Sequence, residues 1–268
     1  MTGRRAIVGL CMLCALLVSA VAAQGAIAAT GTTAFTCKKP EGTDKPVGEK
    51  FSKEHCKEAD TSPTGEYRHV EIPNDKTTEL TGSNEETSGT TRPTKLHSVI
   101  SGIEVELESP TVTGTGWMTN AFDAVAEEHY AHGEGTIEYK EVVVKKPAGK
   151  GCKVKTGVVK TNKLKATTKG AAMGLKFEPA EGGVFATFEV EGCGESEALK
   201  ALNGVYEVKG SVIGTPDGAT TVFERNPTTA QTTLKLRGQN AGIDGSLTLK
   251  ARASSSESYK PLSATTTP

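Results

Sequence analysis

Residues 102–109 read GIEVELES, and their alternation decides the class of fold. Ile103, Val105 and Leu107 fall on one side of an extended chain, and Glu104, Glu106 and Glu108 fall on the other. Successive strand side chains point to opposite faces, so a period of two marks a half-buried β-strand with a charged, solvent-facing side. GTIEYKEVVV (135–144) starts in the same phase, with Ile137 and Tyr139 inward. Glu141 would then turn inward too, so a bulge is expected near Lys140–Glu141 to restore the register for Val142 and Val144.

The same pattern spreads outward from this stretch. Strands are expected at Val154–Lys160, Leu164–Thr167, Met173–Glu178, Val184–Glu191, Gly204–Ile213, Thr220–Glu224, Thr233–Arg237 and Ser246–Ala251, with an edge strand at Lys76–Thr81. Pro147, Gly170, Pro179, EGG (181–183), Pro216 and QNAG (239–242) punctuate them as turns. Only SEALKALNG (196–204) reads as helix, capped by Ser196 and stopped by Asn203–Gly204. The chain holds 36 Thr and 30 Gly but only 5% aromatic residues, a make-up suited to short strands and many turns. The expected fold is all-β: an antiparallel β-sandwich or open barrel over residues 73–252, with at most one short helix.

The flanks carry different signals. Residues 1–29 have Arg4 and Arg5, an apolar run from Ala6 to about Ala23, and small residues suited to cleavage between Ala23 and Ala29. This is the pattern of a secretory signal peptide, and no later run approaches 18 apolar residues. Neither Cys11 nor Cys14 lies in a lipoprotein-type cleavage box. A secreted or cell-surface extracellular location is therefore expected. Removing Arg4 and Arg5 leaves 29 basic against 32 acidic residues, a net charge of −3, which gives no argument for nucleic acid. Residues 253–268, ASSSESYKPLSATTTP, are polar and read as a disordered tail.

Six cysteines less two in the leader leave Cys37, Cys56, Cys152 and Cys193, an even set that reads as two disulfides in a secreted chain. Three connectivities are open. Residues 30–72 hold too few apolar side chains to fold unaided, so a Cys37–Cys56 bridge closing this N-terminal segment is expected. Cys152 and Cys193 both fall at strand ends and are expected to form the second bridge.

The succession AFTCKK (34–39), HCK (55–57), GEY (65–67), SGIEVEL (101–107), VTGTG (112–116), GEGTIEY (133–139), KPAGKGC (146–152), LKFEPAEGGVFATFEVEGC (175–193) and VKGSVIGTP (208–216) resembles a group of uncharacterised secreted actinobacterial proteins. The resemblance spans nearly all of the chain after the leader. The group has no assigned activity, so it implies a fold and no catalytic residue.

Candidate chemistry is sparse. EEHYAHGEG (127–135) brings His129 and His132 together with two carboxylates. Zinc needs three or four ligands at defined spacing, and residues three apart on a strand face opposite ways. The stretch is read as a hairpin loop, with no metal site. The Gly-x-Gly pairs at Gly114, Gly133 and Gly149 lack the third glycine of a dinucleotide-binding turn and read as simple turns. G-x-S-x-G is missing, so no catalytic residue and no cofactor is assigned.

Lysine is the most uneven residue. Ten lysines and no acid fall between Glu141 and Glu178. One reading makes Lys153, Lys155, Lys163 and Lys165 a face for an anionic cell-envelope polymer. The other pairs these lysines across strands with acids such as 104–108 and 189–191. Three functions stay open: a secreted non-enzymatic protein that binds or scaffolds at the cell surface, a hydrolase with a dispersed site, and a barrel carrying a small apolar ligand. Trp117, the sole tryptophan, is either a core plug or an exposed anchor.

Overall fold

The computed structural model describes residues 30–39, 51–53, 56, 65–87, 90–171, 174–223 and 232–266; residues 1–29, read as a leader, lie outside them. The first strands are β1 (Thr30–Lys38), β2 (Arg68–Glu71), β3 (Thr78–Asn84), β4 (Glu86–Thr87), β5 (Thr90–Thr91), β6 (Thr94–Ile100) and β7 (Ile103–Ser109). There follow β8 (Thr111–Asp123), β9 (Glu128–Lys140), β10 (Val143–Lys146), β11 (Lys153–Val154), β12 (Val159–Lys160), β13 (Leu164–Thr167), β14 (Leu175–Pro179) and β15 (Val184–Glu191). A single-turn helix, α1 (Glu197–Lys200), precedes β16 (Gly204–Lys209), β17 (Val212–Asp217), β18 (Thr220–Phe223), β19 (Lys235–Leu236), β20 (Gln239–Arg252) and β21 (Lys260–Thr266). The fold is all-β, and Ser196 caps the short helix by accepting a bond from the Leu199 amide.

Eight strands close a ring in the order β3–β8–β9–β13–β14–β17–β18–β20 and back to β3, every pair antiparallel. The molecule is a closed barrel, where the alternation along each strand allowed an open one or a sandwich. The first half of β20 leaves the ring. There it pairs on one edge with β6, which leads through β7 to β10, and on the other with β19, which leads through β16 and β15 to β11. Fourteen residues of strand run roughly 45 Å, so β20 spans both parts of the molecule. One continuous core fills them, from Leu247 and Leu249 to Phe188 and Tyr206, whose rings stack 5.3 Å apart.

At β8–β9 glycine lets the two backbones lie close on the inner side. Gly116 faces Gly135, and Met118 faces Gly133, on the inner side of the pair. A Cβ added at Gly116 would lie 2.3 Å from the Glu134 carbonyl oxygen, and one at Gly133 would lie 2.0 Å from that of Trp117. Strand glycines of this kind mark a close approach of backbones. The pairs read as turns from Gly114 and Gly133 are therefore strand interior; at Gly149 and Gly151, with φ of 68° and 72°, the chain does turn.

Several other expectations change. The polar tail is not disordered throughout: β21 pairs with β1 and β20 and buries Leu262 and Ser263. Its pairing edge is more than two hundred residues away, which local composition cannot register. The strand expected at Val154–Lys160 divides into β11 and β12 round Gly157, whose φ is 64°. Gly204–Ile213 breaks at Gly210, and QNAG begins β20 instead of ending a strand. The supposed edge strand at Lys76–Thr81 is β3, paired on both sides with β8 and β20. The expected register break falls at Glu141, with φ of 54°, where it ends β9.

Disulfides join Cys37 to Cys56 and Cys152 to Cys193. The first sits in a small separate cluster with Phe51 and Tyr67. The N-terminal segment docks by strand addition, because β1 pairs with β2, β21 and, in parallel, β9. Asn120, fully buried, secures this junction: its Oδ1 accepts from the Ala34 amide at 2.9 Å, and its Nδ2 donates to the carbonyls of Ala34 and Ile72.

The glycine seam yields a paired test. Gly116→Ala places a methyl against backbone and should destabilise the protein by about 1–3 kcal/mol in urea unfolding. Gly114→Ala meets nothing closer than 3.7 Å and should leave stability unchanged or raise it by up to about 1 kcal/mol. Equal effects at the two positions would show that the close approach does not shape the barrel.

Candidate functional site

The lysine window is distributed over β10 to β14 and the loops between them, and most of it is already answered by acid. Lys153 reaches Glu191 at 3.2 Å, Lys155 reaches Glu189 at 2.8 Å, and Lys163 reaches Glu134 at 3.3 Å. Lys165 is exposed on β13, in register with Glu134 on one side and Glu178 on the other. The four residues proposed as an anionic-polymer face thus share their surface with carboxylates. Register explains this: β11 runs antiparallel to β15, setting Lys153 opposite Glu191.

The acids of GIEVELES also differ from the expected solvent face. Glu106 is 5% exposed, covered by its neighbours, with Lys95 at 3.6 Å. Glu108 lies between Lys145 and Lys95; burial pushes its pKa up, but the hydrogen bonds from these two ammonium groups outweigh it and hold the carboxyl below its usual range. Glu104 bonds Lys146 and His97, each at 2.9 Å, and the Lys146 hydrogen bond chiefly lowers its pKa. The row is a cross-strand ion-pair ladder, a structural use of charge on one sheet face.

EEHYAHGEG is strand, not loop. The hairpin turn lies earlier, at 124–127, and β9 begins at Glu128. His129 and His132 consequently face opposite ways. His129 packs on Phe122, its cross-strand partner, with ring centroids 4.8 Å apart. His132 lies between Tyr130, at 5.5 Å, and Trp117, at 5.8 Å. Among the described residues, no cluster of three or more His, Cys, Asp or Glu is placed to hold a metal ion.

Alternation on the hairpin produces a specific surface. Inward positions of β8 and β9 hold Gly116, Met118, Gly133 and Gly135; the opposite parity holds Thr113, Thr115 and Trp117, with Tyr130, His132, Glu134 and Thr136 beside them. Trp117 is thus no core plug. It lies half-buried on the outer wall, between Glu79 of β3 and Glu134 of β9 in the register. Glu79 is bonded by Arg252 at 2.7 Å, and Thr81 and Thr115 continue the row of hydroxyls. Sequence reading missed this group because Trp117 is separated from Tyr130 and His132 by a whole hairpin. The T-G-T-G-W and H-G-E-G-T alternation was the available signal.

The hairpin end is held by charge. Asp123 bonds the ammonium of Lys169 and accepts from the amides of Val125 and Ala126 at 2.8 and 3.1 Å. These contacts, that of Lys169 first, lower its pKa to about 2. Lys169 also sits 5.5 Å from the centre of the Tyr130 ring, a cation–π contact that fixes the ring. Beyond it Phe122 and Val125 are exposed.

Two cavities of about 50 Å³ each open among apolar side chains, one between the flanking strands near Leu107, Phe185 and Ile243, the other along the glycine seam of the ring near Leu80, Phe177 and Leu249. Small-molecule sites take roughly 300–1,000 Å³. No family model, curated protein or solved structure matches the chain.

The Asp123 cluster defines a pH response. A carboxyl whose folded pKa is lowered contributes stability that is present above the unfolded value near 3.8 and lost as pH falls through about 2. The amide signals of Val125 and Ala126 should therefore titrate with a midpoint near 2, and Lys169→Met should move that midpoint upward. A wild-type midpoint near 3.8 would show that the cluster does not form in solution.

Proposed function

We propose that this chain is a secreted, disulfide-bonded β-barrel without enzymatic activity, which binds at the cell surface through its outer wall. The observation that carries this reading is the contrast between the two sides of the wall. The inward side is packed, with cavities of about 50 Å³, while the outward side of β8 and β9 displays Trp117 and Tyr130, each in contact with the His132 ring. Binding surfaces concentrate aromatic side chains, and here a chain poor in aromatics gathers three rings at one place.

Two further facts agree with an extracellular location. Both disulfides belong to oxidising compartments. No helix among the described residues is long and apolar enough to cross a membrane. The leader pattern at 1–29 supplies the export signal. The small-ligand reading is weakened by cavity size, and the anionic-polymer reading by the acids facing Lys153, Lys155 and Lys163.

The test is expression of the full chain in a secreting host. The culture fluid and cell surface should yield a product beginning between residues 24 and 30, with both disulfides formed. That product should sediment with washed cell envelopes and release no soluble fragment from them over time. Retention in the cytosol, steady fragment release, or a co-purifying apolar ligand in native mass spectrometry would each overturn the reading.

A further inference from the structure

We propose that the Trp117–His132–Tyr130 strip is a binding subsite for a neutral glycan; this rests on the outer-wall reading above and names its ligand class. Three observations converge on it.

The first is ring geometry. Trp117, His132 and Tyr130 form a row, with centroid separations of 5.8 and 5.5 Å and Trp117 edge-on to His132. Outward positions on one strand recur every ~6.7 Å, so the stretch of β9 from Tyr130 to Thr136 presents roughly 20 Å of surface. A pyranose ring has an apolar face of C–H groups, and an aromatic surface of this kind offers it dispersion contact with a polar rim nearby.

The second is the rim. Thr81, Thr115 and Thr136 lie side by side across β3, β8 and β9, next to Trp117. Their hydroxyls both donate and accept, as sugar hydroxyls do. Glu79 and Glu134 flank Trp117 on the two neighbouring strands and add acceptor oxygens. Rings that supply contact area and polar groups that fix orientation are the two halves of a carbohydrate site.

The third is charge, which selects a neutral ligand over a charged one. Three acids round the strip have a cation: Glu79 has Arg252 at 2.6 Å, Glu134 has Lys163 at 3.3 Å, and Asp123 has Lys169. A polyanion would have to displace carboxylates from Lys163 and Lys169, and a polycation would have to displace the lysines. A neutral polymer accepts hydrogen bonds from, and donates them to, the same groups without breaking a pair.

The test uses the secreted product and its own fluorescence, because Trp117 is the sole tryptophan and any change in its emission reports on this strip. Neutral oligosaccharides of glucose and of N-acetylglucosamine, six units long, serve as probes. At least one should shift the emission saturably, with an affinity unchanged between low and high salt. Tyr130→Ala should weaken that binding by about tenfold or more, while Val205→Ala, at an exposed position on β16, leaves it intact. Trp117→Ala, read by calorimetry, should abolish it with both disulfides and the unfolding midpoint retained. No response to either probe overturns the glycan inference. So does binding that persists in Trp117→Ala, or binding confined to an anionic polymer, lost with salt and with Lys165→Glu. Envelope sedimentation separates the two readings: if Trp117→Ala still sediments, the outer-wall function stands and this subsite falls; if wild type fails to sediment, the function itself falls.

Discussion

Everything in this barrel depends on two backbones being allowed to come unusually close. At β8–β9 the inward positions 116, 133 and 135 carry no side chain, and a methyl group at any of them would fall within 2.5 Å of a carbonyl oxygen on the partner strand. From that close pair β3, on one side, and β13, on the other, continue round a closed ring. Closure removes the free edges that an open sheet would expose. It also fixes what lies outside. Once glycine holds the inner parity, the residues next to the glycines take the outward parity, and among them are Thr115, Trp117, His132 and Glu134. Fold and surface site are two consequences of one alternation.

Curvature leaves backbone groups without strand partners, and buried side chains replace them. Asn120 takes the place of a peptide group for Ala34. Thr168 accepts from the Ala131 amide at 2.8 Å and donates to the Thr32 carbonyl, and Thr161 accepts from the Ile137 amide at 2.9 Å. Asn84 accepts from the amide of Val112. An unpaired buried amide costs about 1–3 kcal/mol, so each of these residues offsets a penalty that the barrel's shape creates. The Thr-rich composition has a structural use here: the hydroxyl fits a β-branched side chain suited to strands and still completes a ladder.

Alternation made the β-class legible, as in β7, β13 and β15, where Ile103, Val105 and Leu107, Leu164 and Ala166, and Ala186, Phe188 and Val190 recur at every second position. Capping chemistry made α1 legible, and composition made the N-terminal disulfide legible because so little else could hold residues 30–72. What was illegible required a partner distant in sequence. β21 is polar and becomes a strand because β1 offers it an edge. Glu106 looks solvent-facing by parity, yet Lys95 and the neighbouring strands cover it. The Gly-x-Gly pairs had two meanings, turn or close approach, and only the facing strand distinguishes Gly116 from Gly149. The aromatic strip failed for the same reason: its three rings belong to two strands whose register the sequence does not display.

The lysine window shows how a functional signal and a structural one can share a composition. Ten lysines without an acid look like a binding face when read along the chain, because the acids that answer them stand on other strands. Folding interleaves Lys153 with Glu191, Lys155 with Glu189 and Lys145 with Glu108. Exposed pairs of this kind add about 0–1 kcal/mol each to stability, so their stronger effect is on pairing choice. A one-residue slip of β11 against β15 would take Lys153 away from Glu191 and turn Val154 out of the core. Charge therefore reinforces the register that the apolar residues set, and it leaves the outer wall close to neutral wherever the ladders run. On such a wall the groups that can still recognise a partner are those that charge pairing does not consume: rings and hydroxyls. Those are the groups that the glycine alternation of β8 and β9 turns outward.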